Sequence, residues 1–199
     1  MSKEIVLASG NPGKVREIGE LLADLDLTVV AQSEFDVPEA EETGLTFVEN
    51  AIIKARNAAA HTRRAAIADD SGLEVDALNG APGIYSARFA GKGASDQENL
   101  QKLLAEMESV PEAERTARFQ CLMVYMRHAD DPTPIICQGT WEGRIMTSPS
   151  GTNGFGYDPV FFVPECHCTS AELSADKKNS LSHRGKALRQ LVNLLKSAI

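Results

Sequence analysis

Positive charge is scarce in this chain. Against 28 aspartates and glutamates stand only 20 lysines and arginines, a net charge of −8 over 199 residues. That balance removes the broad basic footprint with which a protein grips duplex DNA or an anionic membrane surface, so no nucleic-acid partner is expected. An anionic ligand would have to be held by a few focused cations, backbone amides or a metal ion. Long apolar runs are missing as well, and no stretch approaches the ~20 residues of a membrane span. The opening MSKEIVLASGN has no long apolar segment and no small-residue cleavage site. A cytoplasmic protein with no membrane partner is the expectation. Cysteine is sparse: Cys121 and Cys137 lie in apolar runs and read as reduced core residues. Cys166-His167-Cys168 lacks a second ligand pair at zinc-ribbon spacing. It reads as a solvated loop with incidental thiols, and no functional metal is expected there.

What remains is 43% apolar, enough for a sizeable interior. Residues 4–8 read as a buried strand. From Lys14, the residues Val15, Ile18, Leu21, Leu22 and Leu25 recur at helical spacing, and residues 27–32 return as a strand. Strand, turn, helix, strand predicts a parallel βαβ start. A second helix is expected over 46–60, with Phe47, Ala51, Ala55 and Ala58 on one face and a polar stripe of Asn50, Lys54, Asn57 and His61 on another. Residues 65–69 and 73–78 read as two strands separated by an acidic turn. Ser95 and Glu98 form a capping box ahead of a helix. The extended runs 118–127 and 134–145 predict an antiparallel hairpin, and a last helix starts near Ser182. The class is mixed α/β in a single domain over 1–199, with no separable linker. AGKGAS, near 90–95, is the best place for a hinge between two lobes.

Five stretches could carry chemistry. SGNPGK (9–14) fails the Walker pattern, because only two residues part Gly10 from Gly13 and Val15 follows the lysine. A strand-to-helix turn still presents free amides and a favourable dipole to an anion. An ordinary turn capped by Asn11 is the alternative. In ADDSG (68–72), the neighbours Asp69 and Asp70 must point to opposite faces of a strand. One could serve as metal ligand or general base, or both could belong to an Asx-turn. EETG (41–44) places Glu41 and Glu42 before the second helix, as dipole partners or as a second metal ligand with Lys54 toward phosphate. GTNGFGYDP offers Phe155, Gly156, Tyr157 and Asp158, either a platform for a flat ring or a turn with core aromatics. KKNSLSHRG puts His183 and Arg184 at a helix N-terminus, where the dipole disfavours them. A ligand or a surface basic cluster could account for them.

Taken together and in order, SGNPGK, EETGLTFVENAIIKA, ADDSGLEVDALNGAPGIYSARF, GFGYDPVF and SHRGKAL resemble the Ham1-like nucleoside triphosphate pyrophosphatases over nearly the whole chain. The resemblance implies an elongated α/β fold with a long central mixed sheet and two lobes flanking a substrate cleft. It implies a Mg²⁺-dependent homodimer that hydrolyses the purine nucleoside triphosphates dITP, ITP and XTP to monophosphate and pyrophosphate. Carried over by motif, Ser9, Gly10, Asn11, Pro12, Gly13 and Lys14 would hold the triphosphate, with Lys54 facing its oxygens. Asp70 would be catalytic base and metal ligand, Glu42 a second ligand with Glu41 the near alternative, and Ser71 a substrate contact. Phe155, Gly156, Tyr157, Asp158, Lys178, His183 and Arg184 would hold the base. The Maf-like enzymes are the nearest other class, but APGIYSARF and SHRG argue against them. A silent nucleotide-binding module is disfavoured by Asp70, Lys14 and Lys54.

Overall fold

Strand β3, Ala65–Val75, runs unbroken for eleven residues through the acidic stretch. The sequence suggests a turn there, since Asp, Ser and Gly are poor strand formers. The ladder carries straight through it, and 73–78 splits differently: Val75 ends the strand and Asp76–Leu78 form a 3₁₀ turn. The computed structural model describes residues 3–9, 14, 15, 18, 19, 22 and 27–198. Leu21 and Leu25 of the expected first helix lie outside the described residues, whereas Lys14, Val15, Ile18 and Leu22 are helical.

The strands β1 (Lys3–Leu7), β2 (Leu27–Ala31), β3, β4 (Thr116–Met126), β5 (Ile135–Ile145), β6 (Phe161–Val163) and β7 (Cys168–Thr169) form one sheet in the order β2-β1-β3-β4-β5-β6-β7. β1 is parallel to both β2 and β3, which is the expected βαβ start. Across β4 and β5, Arg118 meets Glu142 and Gln120 meets Thr140. Partners that advance by two on one strand and retreat by two on the other mark an antiparallel hairpin. β6 and β7 continue antiparallel. Besides those helical residues, the helices with bounds among the described residues are α1 (Phe47–Thr62), α2 (Asp96–Glu106), α3 (Ala175–Leu181) and α4 (His183–Ala198). Short α3, capped by Ser174, escaped the sequence reading.

Helix starts follow their caps. Ser95 accepts from the Glu98 amide at 3.2 Å while Glu98 accepts from the Ser95 amide at 2.7 Å, the reciprocal capping box at α2. At α1, Thr46 Oγ1 accepts from the Glu49 amide at 3.3 Å.

Contacts divide the chain into two compact units. The first takes its residues from 1–70, 121–138 and 187–199, the second from 71–120 and 139–186. Residues 90–95 therefore lie inside the second unit, and the chain changes unit within β3, β4, β5 and α4 instead. The first core gathers Ile5, Leu7, Ile67, Met123, Leu188 and Leu191 among others. The second gathers Leu73, Leu103, Met107, Phe119, Trp141 and Phe161 among others. Cys166 and Cys168 are half-buried against this second core, so the expected solvated loop is in fact a 3₁₀ turn leading into β7.

Candidate active site

In the first unit the site begins with strand alternation. Asp69 is buried, and Lys14 Nζ donates to both its carboxylate oxygens at 2.8 Å. Asp70, on the opposite face, meets Lys54 Nζ at 2.6 Å. The same ammonium lies 3.2 Å from Glu42 Oε1. Asp70 and Glu42 share a cation, Asp69 anchors Lys14, and Glu41 stands exposed.

The polar stripe of α1 explains how Glu42 gets there. Asn50 Oδ1 accepts from the Gly44 amide at 2.9 Å, and Asn57 Nδ2 donates to the Pro38 carbonyl at 2.8 Å. With Lys54 on Glu42 between them, three successive residues of the stripe clasp the segment that precedes the helix. Gly44 is required by close approach, since a Cβ there would lie 2.6 Å from Glu49 Cβ and 2.7 Å from Asn50 Oδ1.

Three carboxylates, Glu42, Asp69 and Asp70, face two ammonium groups, Lys14 and Lys54. Burial pushes the Asp70 carboxyl above its usual range; Lys54 opposes this, and Glu42 and Asp69 add to it. Burial works against the charge on Lys54, but attraction to Asp70, Asp69 and Glu42 outweighs it and its pKa is raised. Mg²⁺ fits this set by two criteria. Two oxygen donors already converge on one positive charge, and a hard cation prefers carboxylate oxygen. Ser9 donates its amide to Leu7 O at 2.8 Å at the end of β1. Gly10, Asn11, Pro12 and Gly13 lie outside the described residues.

The second unit holds the other set. Phe155 is 63% exposed at the tip of the Gly-rich loop. Its ring has the Lys178 ammonium 5.1 Å and the Arg184 guanidinium 5.9 Å from its centroid. Asp158 is buried beneath this loop, where it takes bonds from the Phe155 amide and Ser170 Oγ, both at 2.8 Å, and pairs with Lys178. Asp158 therefore shapes the loop that displays Phe155. A Cβ on Gly154 would run into the Asp158 carboxylate. Gly156, at φ +60°, gives its amide to Asp96 Oδ2 of α2 at 2.8 Å, a contact the sequence did not reveal. Tyr157 belongs to the core: it is buried, and its hydroxyl donates to Ser86 O at 2.8 Å. Burial, with the Asp96 carboxylate nearby, holds that phenol well above its usual pKa. His183 is buried and stacks on Phe119, with centroids 4.8 Å apart and planes 15° apart. Arg184 Nη2 donates to Ser71 Oγ at 3.3 Å.

The Ham1 family model matches residues 5–194. The chain belongs to the Ham1 family. A Vibrio vulnificus (strain YJ016) protein named dITP/XTP pyrophosphatase is 69% identical to this Ham1 chain over 194 residues, 98% of this chain and 97% of the relative. One of the same name from Photobacterium profundum is 64% identical and spans 100% of both. The structure of a HAM1 protein from Coxiella burnetii superposes with TM-score 0.95 at 53% identity, covering 98% of this chain and 99% of that one. A nucleoside-triphosphatase / dITP/XTP pyrophosphatase from Mycobacterium abscessus gives TM-score 0.79 at 41% identity, over 94% and 98%. The mixed α/β class and the mixed central sheet expected from the resemblance are those of the Ham1 fold.

Proposed function

We propose that this Ham1 chain hydrolyses deaminated purine nucleoside triphosphates (dITP, ITP and XTP) to the monophosphate and pyrophosphate, clearing them from the nucleotide pool. Its cofactor is Mg²⁺, and it acts in the cytoplasm as a homodimer. The observation that carries the reading is the convergence of Asp70 and Glu42 on one cation position, with Lys14 anchored on neighbouring Asp69. The names of the curated relatives point to the same substrates.

Water attacks the α-phosphorus, one of its protons passes to Asp70, and pyrophosphate departs. An ionised carboxylate within reach of the attacking water is a competent general base for this step. Lys14 and Lys54 neutralise charge growing on the phosphate oxygens. Lys54 reaches them by turning from the carboxylates it now bridges. Mg²⁺, held by Asp70 and Glu42, would supply charge neutralisation and lower the pKa of bound water. The base stacks on Phe155, exposed and flanked by cations. Donors of Lys178, His183 and Arg184 read its 6-oxygen. Adenine carries an amino group at that position, so a buried donor would be left unpaired at about 1–3 kcal/mol.

The test is product identification. The protein is incubated with ITP, dUTP, GTP and ATP with Mg²⁺. Inosine monophosphate plus pyrophosphate is expected from ITP, with ATP poorly used. Release of orthophosphate and a diphosphate would refute the reaction class. Light scattering coupled to gel filtration tests the dimer.

A further inference from the structure

Asn50 is a puzzle for stability alone. It sits on α1 with 0% exposure, and its Nδ2 has no hydrogen-bond partner among the described residues. A buried unsatisfied amide costs about 1–3 kcal/mol, and a small apolar residue at the same helical position would avoid this. A group carried at such a cost calls for a reason outside packing. The reason lies in the other polar atom of the side chain. Asn50 Oδ1 holds the Gly44 amide at 2.9 Å.

The segment from Pro38 to Gly44 has no helix or strand of its own. It lies against α1 with reversed order: Gly44 on Asn50, Glu42 on Lys54, Pro38 on Asn57. Between the first two attachments the chain makes a tight turn centred on Glu42, closed by the Thr43 amide donating to Glu41 O at 3.0 Å. With Gly44 held at Asn50, this turn presents the Glu42 carboxylate to the Lys54 ammonium that also meets Asp70. Three residues, 39–41, part Glu42 from Pro38, so Asn57 is the more distant support.

We propose that Asn50 is a positioning residue for the metal site. By pinning Gly44, with Asn57 in support, it sets the register that turns the Glu42 carboxylate toward Asp70, so that the two share one divalent cation. The inference rests on the reading of Glu42 and Asp70 as the cation's ligands.

The test measures Mn²⁺ binding to the full-length protein by electron paramagnetic resonance, without nucleotide. The proteins compared are wild type, Glu42→Gln, Asn50→Ala, Asn57→Ala, Gly44→Ala and the Asn50→Ala/Glu42→Gln pair. Outer partners of metal ligands typically contribute about 10–100-fold in affinity. Asn50→Ala and Gly44→Ala are expected to weaken Mn²⁺ about tenfold or more, and Asn57→Ala by less. The double variant should bind no more weakly than Glu42→Gln alone, because both changes remove one ligand. Half-saturating Mg²⁺ for turnover should rise in Asn50→Ala, with kcat recovered at high Mg²⁺. If Asn50→Ala fails to fold, Gly44→Ala, which leaves every polar side chain in place, decides. Weakening by Glu42→Gln but not by the Asn50 or Gly44 variants overturns the positioning role. Full additivity in the double variant does the same. No effect of Glu42→Gln would instead overturn the ligand assignment on which the inference rests.

Discussion

Lys54 Nζ lies 2.6 Å from Asp70 Oδ1 and also reaches Glu42 at 3.2 Å. One ammonium thus bridges the two carboxylates proposed to hold Mg²⁺, and a divalent cation shared by them would have to displace it. Lys54→Met is therefore expected to bind Mn²⁺ more tightly than wild type without nucleotide. A gain of at least about fivefold is expected, since even in bulk water a unit charge at 4 Å amounts to about 1 kcal/mol. Turnover should fall in the same variant, because the phosphate loses a cation. Equilibrium binding and steady-state kinetics report the two effects separately. Unchanged or weaker Mn²⁺ binding would contradict the shared position.

Asp70→Asn keeps the shape of the side chain and removes the base. Turnover of ITP is expected to drop about 10²–10⁴-fold, the usual contribution of a general base. Binding of a non-hydrolysable α,β-methylene triphosphate, followed by calorimetry, should remain measurable. A variant with normal kcat would move the base elsewhere.

Much of this arrangement was legible in the sequence, and the gaps have physical causes. Alternation along a strand required Asp69 and Asp70 to face opposite ways, and they do. Which one met Lys14 and which met Lys54 depended on where the two lysines came to rest, a tertiary fact. Glu41 and Glu42 precede a helix in coil, where no period fixes a facing side. Glu42 is the one that reaches Lys54, next to the Asn50–Gly44 hydrogen bond. The continuity of β3 was hidden because Asp, Ser and Gly favour turns when judged locally, whereas in the fold Asp69 and Asp70 each pair with a lysine from another part of the chain. Tyr157 sits in a loop sequence that suits a ligand platform. Its hydroxyl instead finds the main-chain acceptor Ser86 O, 71 residues earlier in the chain, a pairing that no local pattern discloses.

The titration of Asp70 in the metal-free protein carries its own test. Burial holds its carboxyl above the ordinary value of 3.8. Lys54 attracts the ionised form and Glu42 repels it. Without metal or nucleotide, Lys54→Gln should therefore raise the Asp70 pKa further, and Glu42→Gln should lower it. Carbon-13 NMR titration of the Asp70 carboxyl measures both. Shifts in the same direction would contradict the opposed influence of Lys54 and Glu42 on Asp70.

Phe155→Ala tests the stacking platform without touching the phosphate set. Base stacking on an aromatic contributes about 1–3 kcal/mol, so KM for ITP should rise about 5–150-fold. The ring takes no part in the proton transfer, and kcat should stay near wild type. Inhibition by inorganic triphosphate, which has no base, should be unchanged. Equal weakening of ITP and triphosphate would mean that the loop had collapsed and that Phe155 has no special part in reading the base.

Asp76 offers a stability test away from the site. Its carboxylate accepts from Arg118 Nη1 at 2.8 Å, Arg118 Nη2 at 2.9 Å and Thr116 Oγ1 at 2.6 Å. Bonding by Arg118, then Thr116, lowers its pKa to about 2, against 3.8 for a free carboxyl. A depressed folded-state pKa gives stability that is present above the unfolded value and lost as pH falls through the folded one. The pair is partly solvated and screened, so its contribution is at most about 1 kcal/mol. Asp76→Asn should lower Tm slightly at pH 6, and the gap to wild type should shrink between pH 4 and pH 2. Thermal melts at fixed ionic strength across that window measure it. A gap that widened toward low pH would show that the variant acts through something other than the Arg118 ion pair.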